Sequence, residues 1–560
     1  MEKLPYGISD YERLIENDYY YIDKTQFIEK LENLPEPYLM FLRPRKFGKT
    51  LFTSTLLNYY DINAKEKFDR LFGKTYIGQN PTPLRNSYCV LKFNFSGVDT
   101  TTVETTINGF KNKVETSIYG FISDYNIDFV INSEQNAEEM LNSLFEAFRV
   151  QKQDKKIYVI IDEYDHFANE LLGFHTEVFK DLVSKNGKVR KWYEILKEGT
   201  ETIVDRIFIT GVAPITLDSL TSGFNISKDI TRDIRFNEMM GFTEEELKNM
   251  IREQGISETE QQEILPVMKK NYDGYRFSEE MGNRIYNSNM CLYFLNSYLV
   301  QNKIPNNLID SNIASDYKKL GNMLKLCRGE QREEIIEKTI SGEGIASEIT
   351  DKFNPEKEFD EKDLISMLYY LGYLTIDGEK YGRPILKIPN NVMKELYSEY
   401  FLEALSKDTS YQVSESIYVQ ILDELTEFGK IDKLTEILHE YLKGLSNRDF
   451  QRFDEKYVKL IVYCIAKNLK IYNVKSEMEL QRKYPDIVIT PREKDKGYCS
   501  IMIEFKYLKK EEKDKLEQVQ KEAREQVLEY AKTEEMQEIE KLHKYTVVCV
   551  VDEVYVEEVY

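Results

Sequence analysis

The stretch YLMFLRPRKFGKT, residues 38–50, determines how the rest of this chain is interpreted. Its first five residues predict a short buried strand, and the helical pattern LFTSTLLNYY follows directly after its last residue. A strand, a loop and a helix that opens with Gly48-Lys49-Thr50 predict a phosphate-binding loop, because backbone N–H groups at such a helix start face anions. We expect Lys49 to reach the β- and γ-phosphates of a nucleotide and the Thr50 hydroxyl to hold Mg²⁺.

One position of this loop departs from the usual pattern G-x-x-x-x-G-K-[ST], because Arg43 stands where the first glycine is expected. A side chain with a Cβ is disfavoured there if the backbone needs a positive φ. The alternative is a basic loop that only caps the helix. The nucleotide contacts that the pattern predicts are Arg43, Pro44, Arg45, Lys46, Phe47, Gly48, Lys49 and Thr50.

The composition limits the classes of protein that fit this chain. Its 560 residues suffice for several domains, and 97 acidic against 76 basic residues give a formal net charge of −21. This balance argues against a nonspecific nucleic-acid coat over the whole surface, although it leaves a local basic groove open. The 6 cysteines are scattered without a C-x-x-C pair, and no run of about 18 apolar residues predicts a membrane span. We therefore expect a cytoplasmic protein with reduced thiols.

A second predicted strand ends in acidic residues that suit the same site. IYVIIDEYD, residues 157–165, is an apolar strand pattern that runs straight into Asp162 and Glu163. Ligands of an open α/β sheet lie at the carboxyl ends of its strands. Asp162 is therefore predicted to hold Mg²⁺ and Glu163 to polarise the attacking water. The alternative is an ordinary strand end whose acids face solvent.

Positions further along the chain are candidates for contacts with the nucleotide. The strand pattern RIFIT ends in Thr210, which we expect to sense the γ-phosphate unless it is an ordinary strand terminus. Arg232 and Arg235 follow in ITRDIRF, and either could act as an arginine finger, in cis or across the subunit contact of a homo-oligomer. The simpler interpretation of both is an ordinary surface arginine.

Six pieces of the sequence together resemble a known family: YYYIDKTQFIEKL, FLRPRKFGKT, VIIDEYD, ITGVAPI, GFTEEEL and YDGYRF. They are similar to the predicted AAA-type ATPases of bacteria that carry a C-terminal nuclease-like domain. The phosphate loop of that family has the form R-P-R-[RK]-F-G-K-[ST], which accounts for Arg43. The resemblance covers roughly residues 4–300. It implies ATP binding and hydrolysis, followed by a nuclease superfamily domain.

The middle of the chain carries weaker signals. TEEELKNMIREQ has a capping-box pattern at Thr243 and Glu246, and we expect it to begin a helical lid over the nucleotide. In NYDGYRFS, Arg276 could reach a phosphate, although a structural turn at Gly274 is the stronger interpretation. In DEKDLISMLYYLGYLTI, a helix, a break at Gly372 and a strand predict a winged-helix-like element. Such an element binds DNA or packs domains together, and the lack of a basic run favours packing.

A second chemical centre is predicted near the C-terminus, in two strand patterns. Asp486 begins the strand of PDIVIT, and CSIMIEFKY alternates so that Glu504 and Lys506 share one polar face. With Thr490 opposite Ser500 in a hairpin, Asp486 lies opposite Glu504, with about 5 Å between the Cβ atoms. Two carboxylates at this spacing can share a divalent ion, and Lys506 can orient or deprotonate a water.

The pattern P-D…E-x-K resembles the PD-(D/E)xK nuclease superfamily. Gln526 and Tyr530 match its Q-x-x-x-Y helix, and Glu479 stands where the superfamily places a glutamate before the aspartate. The loop LQRKYP departs from the glycine- and arginine-rich run that is usual there. The resemblance implies a Mg²⁺ or Mn²⁺ site, whose ligands and catalytic residues would be Glu479, Asp486, Glu504, Lys506 and Gln526. The alternative is a charged outer face on an edge hairpin.

These patterns together predict an α/β chain of four parts. They are an AAA-type P-loop core with a parallel sheet at 1–236, a helical lid at 237–328, a helix-rich, winged-helix-like linker at 329–445 and an α/β PD-(D/E)xK nuclease-like domain at 446–560. We expect ATP with Mg²⁺ at the first site and a metal-dependent nuclease acting on nucleic acid, in particular DNA, at the second. A defence role against foreign DNA would suit this pairing. The alternative is a nucleotide-dependent switch or scaffold whose nuclease-like domain is inactive.

Overall fold

The chain divides into two compact units. The first comprises Met1–Arg328 and Ala346–Asn390, and the second comprises Gly329–Ile345 and Asn391–Tyr560. The predicted linker, residues 329–445, is thus shared between the units, and the predicted domain boundaries stay predictions. The computed structural model describes residues 2–167, 187–214, 226–280, 282–310, 317–324, 329–340, 342–351, 353, 360–445, 454–476 and 485–560.

A parallel sheet forms the core of the first unit. Its strands lie in the order β2-β3-β4-β1-β5, and each described pair of neighbours is parallel. All 6 residues of β3 are buried, as expected for a strand covered on both faces by helices. The predicted parallel α/β fold of this region is confirmed. The strands are β1 (Tyr38–Leu42), β2 (Cys89–Asn94), β3 (Ile157–Asp162), β4 (Val204–Gly211) and β5 (Lys228–Asp229).

The strand order brings three strand ends to one place. Leu42 at the end of β1 pairs with Gly211 at the end of β4, and Ile161 of β3 pairs with Ile209 of β4. Parallel strands have their carboxyl ends at the same edge, and ligands of open α/β sheets bind there. The segments that follow β1, β3 and β4 therefore meet at one edge of the sheet.

The helices of the first unit begin where capping signals occur in the sequence. Thr243 and Glu246 form the predicted capping box, which opens the helix Glu244–Glu253. The described α-helices of this unit are Tyr11–Glu16, Gln26–Glu32, Lys49–Tyr60, Phe68–Phe72, Tyr76–Gln79, Val103–Tyr125, Ala137–Gln151, Lys188–Gly199, Glu244–Glu253, Glu258–Tyr272, Ser288–Gln301, Tyr317–Leu324 and Glu361–Tyr370. Short 3₁₀ helices span Ile62–Lys67 and Ile234–Phe236.

The winged-helix-like element belongs to the first unit, where it packs near the phosphate loop. Its helix Glu361–Tyr370 is buried from residue 364 to residue 370, so it is not an exposed recognition helix. The Tyr369 hydroxyl donates to the main-chain oxygen of Phe277 at 2.8 Å, and a Cβ on Gly372 would lie 2.8 Å from Pro44. These contacts agree with the packing interpretation. The strands of this region are β6 (Ile345–Ala346), β7 (Thr375–Lys380) and β8 (Arg383–Lys387).

A mixed sheet organises the second unit, in the order β13-β12-β11-β10-β9. β11 pairs with β12 in parallel, and the other neighbours are antiparallel. Because β11 lies between β10 and β12, residues 500–505 are all buried. The hairpin is interior, which excludes a charged outer face on an edge hairpin. The strands are β9 (Tyr472–Ser476), β10 (Ile487–Pro491), β11 (Ser500–Leu508), β12 (Leu542–Val550) and β13 (Glu553–Glu558).

The helices of the second unit include two that pack on this sheet, Glu455–Lys467 and Leu516–Tyr530. The others described are Gly329–Ile340, Asn391–Thr409, Glu415–Asp423, Asp432–Gly444 and Glu534–Gln537, with a π-helical turn at Glu424–Phe428 and 3₁₀ helices at Lys494–Lys496 and Lys510–Lys515. In the described part of the chain, no helix combines the length and apolar character needed to cross a membrane.

Candidate functional site

The loop of residues 43–48 connects β1 to the helix Lys49–Tyr60, as the sequence predicts. Positive φ angles in this described loop occur at Lys46, with 68°, and at Gly48, with 94°. Gly48 caps the helix in the left-handed conformation, which glycine adopts without the strain of a Cβ. Arg43 is not a positive-φ position. Its side chain therefore fits the loop, and the missing first glycine has no backbone cost.

The Arg43 guanidinium lies among carbonyl groups and aromatic rings. It donates to the main-chain oxygens of Leu42 at 2.9 Å, Thr231 at 2.8 Å and Phe236 at 3.1 Å. The rings of Phe41 and Phe277 flank it, with centroids 4.0 and 4.1 Å from Cζ. Arg43 is 1% exposed, and its burial lowers the pKa of the guanidinium to about 9. This side chain fastens the loop to its surroundings and does not line the cavity described below.

Lys49 is held by neutral groups. Its ammonium donates to the main-chain oxygens of Arg43 and Pro44, each at 2.9 Å, and these are its described hydrogen bonds. Lys49 is 7% exposed, and burial lowers its pKa to about 8, although nearby carboxylates, Asp165 first, act in the opposite direction. The side chain is therefore still charged at neutral pH. A phosphate that approaches this ammonium displaces carbonyl acceptors, with no described ion pair to break.

A cavity of about 430 Å³ lies beside the loop, a volume typical of small-molecule sites. One part of its wall is formed by the loop and helix start, through Arg45, Lys46, Phe47, Gly48, Lys49 and Thr50. Another part is largely apolar and includes Ile8, Leu14, Tyr21, Met240, Phe242 and Leu292. A lining that combines the polar groups of the loop with apolar side chains fits a nucleotide, which has phosphates and a flat base.

Asp162 ends β3 and is fully buried next to Thr50. Burial raises the pKa of Asp162, whereas Lys92 and a hydrogen bond with the Thr50 side chain lower it. The Thr53 hydroxyl lies 3.4 Å from Oδ2, and Oδ1 has no hydrogen-bond partner among the described residues. A buried carboxylate oxygen without a partner, beside a threonine hydroxyl, fits Mg²⁺, which prefers hard oxygen ligands.

Glu163 follows Asp162 in a strained conformation that points to function. Its φ is 52°, which is uncommon for a residue with a Cβ, and strain of this kind clusters at active sites. Its side chain is 33% exposed, lines the cavity and lies 3.5 Å from His166 Nδ1. Glu163 can therefore contact a water in the cavity, whereas Asp162 does not line it.

Asp165 fixes the turn that follows β4. It is 1% exposed, and its carboxylate accepts the N–H groups of Val212 at 3.0 Å and Ala213 at 2.7 Å. A Cβ on Gly211 would come within 2.1 Å of Asp165 Oδ1, so only glycine fits there. The sequence patterns did not single out Asp165, although an acid three residues beyond Asp162 in the same motif was a visible signal.

In the second unit, β10 and β11 pair in the predicted register. Ile487 lies opposite Ile503 and Ile489 opposite Ile501, and one more step in this register places Asp486 opposite Glu504. Each of these carboxylates is only 3% exposed. The burial corrects the expectation of a polar strand face, because neighbouring strands and helices cover it.

Glu504 is neutralised on one side only. Its Oε1 accepts from the Lys506 ammonium at 2.9 Å, and Oε2 is buried without a hydrogen-bond partner among the described residues. Burial raises the pKa of Glu504, and Lys506 acts against that shift. Burial also disfavours the charged form of Lys506, but the adjacent Glu504 outweighs it, and the pKa of Lys506 is raised.

Asp486 is engaged through both of its oxygens. Oδ2 accepts the Phe505 N–H at 2.6 Å, and Oδ1 contacts the Lys459 ammonium. Lys459 also lies 2.8 Å from Glu455 Oε1, one helical turn earlier on Glu455–Lys467. Burial and the neighbouring Glu504 raise the pKa of Asp486. The sequence patterns did not single out Lys459. An indication was present in the sequence, because Lys459 is a basic residue within the mostly apolar stretch of that helix.

The donor set at this centre fits a divalent ion through the Asp486–Glu504 pair. No group of three or more His, Cys, Asp or Glu side chains is arranged for metal binding within the described residues. Mg²⁺ keeps several waters and takes one or two protein carboxylates with substrate phosphates, so a pair is sufficient. Glu504 Oε2 is buried without a described partner, which leaves an acceptor for such an ion. Gln526 Oε1 is also buried without a described partner, and the role predicted for Gln526 stays a prediction.

Comparison with known proteins gives a match at each end of the chain. Residues 5–221 match the family model described as predicted AAA-ATPase, and residues 453–559 match the one described as PD-(D/E)XK nuclease superfamily. Both resemblances are confirmed. A curated protein of Azotobacter chroococcum mcd 1, described as "Uncharacterized protein in vnfD 5'region", is 25% identical over 289 residues. The match covers 51% of this chain and 50% of that protein, so the chain spans about half the length of this curated relative.

Other candidate residues of the AAA-ATPase region and the adjoining segment lie away from the cavity wall. The Thr210 hydroxyl donates to the main-chain oxygen of Phe41 at 2.8 Å, and Arg232 pairs with Glu279 and Asp351. Arg276 donates to the main-chain oxygen of Gly282 at 2.8 Å, and Arg235 pairs with Asp233 at 2.5 Å. Pro44 is also absent from the lining. The roles predicted for these residues stay predictions.

In the segment that matches the nuclease superfamily model, residues 453–559, Gln526 and Tyr530 lie on the predicted helix, Leu516–Tyr530. Gln526 is partly buried, and Tyr530 packs against a core that contains Val488 and Met502. Glu479 and most of LQRKYP lie outside the described residues, so the predicted metal contact of Glu479 stays a prediction.

Proposed function

We propose that the AAA-ATPase region binds and hydrolyses ATP, and that the nuclease superfamily domain cleaves DNA in a reaction that needs Mg²⁺ or Mn²⁺. The observation that carries the first part is Lys49, which donates to two carbonyl oxygens and lines the cavity together with Arg45, Lys46, Gly48 and Thr50. An ammonium on neutral acceptors attracts a polyphosphate strongly, because charge-assisted hydrogen bonds are stronger than neutral ones.

In the ATP site, the roles follow from position. Lys49 exchanges its carbonyl acceptors for phosphate oxygens, and Thr50 with Asp162 holds Mg²⁺. Mg²⁺ held there would offset the negative charge of the β- and γ-phosphates. Glu163 orients and deprotonates a water in the cavity. Asp165 keeps the turn after β4 in place through two N–H groups, which preserves the cavity wall.

In the nuclease site, Asp486 and Glu504 hold the divalent ion. Such an ion lowers the pKa of a coordinated water and stabilises negative charge on a phosphodiester. Lys506 is paired with Glu504, which favours its ammonium form, so we assign it the orientation of the water. The Gln526 carbonyl oxygen has no described partner and serves to position that water.

A second candidate function is a nucleotide-dependent switch or scaffold with an inactive nuclease-like domain. It is favoured by the engagement of Asp486, whose two oxygens already contact Lys459 and the Phe505 N–H. A defence role against foreign DNA belongs to the active alternative, since it requires cleavage.

The test incubates the full chain with labelled duplex DNA, single-stranded DNA and RNA, with and without ATP, Mg²⁺ and Mn²⁺. We expect DNA cleavage with either metal and ATP turnover that Lys49→Ala removes. ATP turnover without cleavage of any substrate would support the scaffold. Absence of ATP binding by calorimetry would refute the ATPase part independently of the nuclease result.

A further inference from the structure

The nuclease centre contains more charge than the predicted pair of carboxylates and single lysine. The helix Glu455–Lys467 adds Glu455 and Lys459, spaced four residues apart so that both reach the strand ends. Lys459 Nζ lies 2.8 Å from Glu455 Oε1 and contacts Asp486 Oδ1, and Lys506 Nζ lies 3.7 Å from Glu455. Both lysine side chains are largely buried, with 12% and 20% exposure.

The charges of this cluster nearly cancel. With every group ionised, three carboxylates, Glu455, Asp486 and Glu504, face two ammonium groups, which leaves a formal charge of minus one. A divalent ion would change that balance to one net positive charge. A phosphodiester, with one negative charge, would then bring the centre to neutrality. The total charge of the cluster is therefore zero when one divalent ion and one phosphodiester are both bound and both lysines remain in the site.

The two carboxylates differ in what they offer a metal ion. Glu504 has a buried oxygen, Oε2, without a described partner. Asp486 has none, since Oδ2 accepts the Phe505 N–H and Oδ1 contacts Lys459. The Phe505 N–H belongs to the sheet backbone and is fixed. An ion that bridges the two carboxylates must therefore take Oδ1 from Lys459, whose side chain is long and flexible.

We propose that Lys459 is a displaceable internal counter-ion of the nuclease site, which competes with the divalent ion for Asp486 and, once displaced, binds the phosphodiester. This inference rests on the proposed nuclease function. Glu455 holds Lys459 within the centre when it leaves Asp486, because it contacts the same ammonium. Lys459 thus exchanges one anion for another and stays in the site.

The first measurement is Mn²⁺ affinity by calorimetry, on the full chain without nucleic acid. Lys459→Met removes the competitor and keeps the apolar stem, so we expect Mn²⁺ to bind about tenfold more tightly, a change of about 1.4 kcal/mol. The matched control is Lys456→Met on the same helix, since Lys456 is 55% exposed and pairs with Glu343. Its affinity should stay within about twofold of the parent.

A second measurement protects the test against misfolding of the variant. Without a counter-ion Asp486 is a buried carboxylate lacking its cation, so Lys459→Met should melt at a lower temperature in EDTA and recover with Mn²⁺. Lys459→Gln keeps a hydrogen-bond donor, so its melting temperature in EDTA should fall less than that of Lys459→Met. Its gain in Mn²⁺ affinity should be the same. Binding of a labelled DNA duplex with Ca²⁺ present should weaken in both variants.

The outcomes separate this inference from the nuclease proposal. If the parent cleaves DNA and binds Mn²⁺, but Lys459→Met binds it no more tightly, Lys459 is not a competitor and the inference fails alone. If the parent neither binds Mn²⁺ nor cleaves while Lys459→Met binds it, the counter-ion role is supported and the nuclease proposal fails. If neither protein binds Mn²⁺, the counter-ion role is overturned, and the nuclease proposal is overturned with it if the parent also cleaves no DNA.

Discussion

The predicted phosphate loop and the proposed nuclease centre around Asp486 and Glu504 both bury charged side chains, but they balance the charge in different ways. At the loop, the partners are backbone groups. Lys49 and Arg43 donate to carbonyl oxygens, and Asp165 accepts main-chain N–H groups. Backbone dipoles hold these ions in place, and the carboxylates near Lys49 make none of its described hydrogen bonds.

At the nuclease centre, the partners are other ions. Lys506 pairs with Glu504, and Lys459 pairs with Asp486. The centre is therefore almost neutral before any ligand arrives. Burial alone therefore does not prepare a site for its ligand. A charge held by dipoles is ready for a ligand of opposite sign, whereas a charge held by a counter-ion has to change partners first.

The largest expected effect tests the dipole-held site. Glu163→Gln should lower the ATP turnover rate by about 10²- to 10⁴-fold, because the carboxylate that deprotonates water is lost. ATP affinity should stay near the parental value, since Lys49, Thr50 and Asp162 are intact. Steady-state turnover and calorimetry measure the two quantities. If Glu163→Gln turns over ATP at the parental rate, Glu163 does not deprotonate the water.

The nuclease centre should respond nearly as strongly to Glu504→Gln. A neutral amide is a weaker ligand of a divalent ion than a carboxylate, and we expect the DNA cleavage rate to fall by about 10³-fold. Glutamine is preferred over alanine because Glu504 is buried and its volume has to be kept. Glu493→Gln, at a 67% exposed side chain of the same domain, serves as the control. Equal cleavage by both variants would contradict the assignment.

Lys49→Ala tests the role of the loop lysine in ATP affinity and in the stability of the fold. ATP should bind about 10- to 100-fold more weakly, because one charge-assisted contact is lost. The substitution leaves the Arg43 and Pro44 main-chain oxygens without this donor, so the free energy of unfolding should fall by about 1–3 kcal/mol. The groups left behind are neutral, whereas Lys459→Met leaves a buried carboxylate without its cation. Lys67→Ala, at a 45% exposed lysine of the same unit, is the control. Unchanged ATP affinity by calorimetry would show that Lys49 does not bind the phosphates of ATP.

The smallest expected effect concerns Arg43→Lys. Lysine keeps the charge but loses the planar group that lies between two rings and donates to three carbonyls, so the free energy of unfolding should fall by about 1–2 kcal/mol. Trp192 is the single tryptophan, is fully buried in the first unit and packs against Phe93 and Phe110. Its fluorescence in urea therefore reports this unit alone. An unchanged urea midpoint would show that the contacts of the Arg43 guanidinium contribute nothing to the stability of this unit.

Local patterns in the sequence were sufficient for much of the fold and of both sites. The strand Tyr38–Leu42 and the helix after Gly48 are where the loop motif predicts them. The register of β10 and β11 was also predictable, because period-two alternation fixes which residues share a face, and a one-residue slip would invert it. These features depend on residues that are close in sequence.

The remainder depends on partners that are distant in sequence. Arg43 is held by Thr231, Phe236 and Phe277, about 190 to 230 residues away, and no local pattern shows that its side chain turns from the nucleotide. The burial of Glu504 depends on β12, which follows a whole helix later. Strand alternation alone could not show that a second layer covers the polar face.

The first unit is not continuous in sequence, and this affects how it is synthesised. Its last piece, Ala346–Asn390, supplies Tyr369, which contacts Phe277, and Gly372, which closely approaches Pro44. About 300 further residues are synthesised after the phosphate loop before these two residues are added to the chain. At the usual rate of about 5–20 residues per second, the loop waits for many seconds without part of its support. Nucleotide binding by the nascent chain should accordingly begin only after residue 390 has left the ribosome.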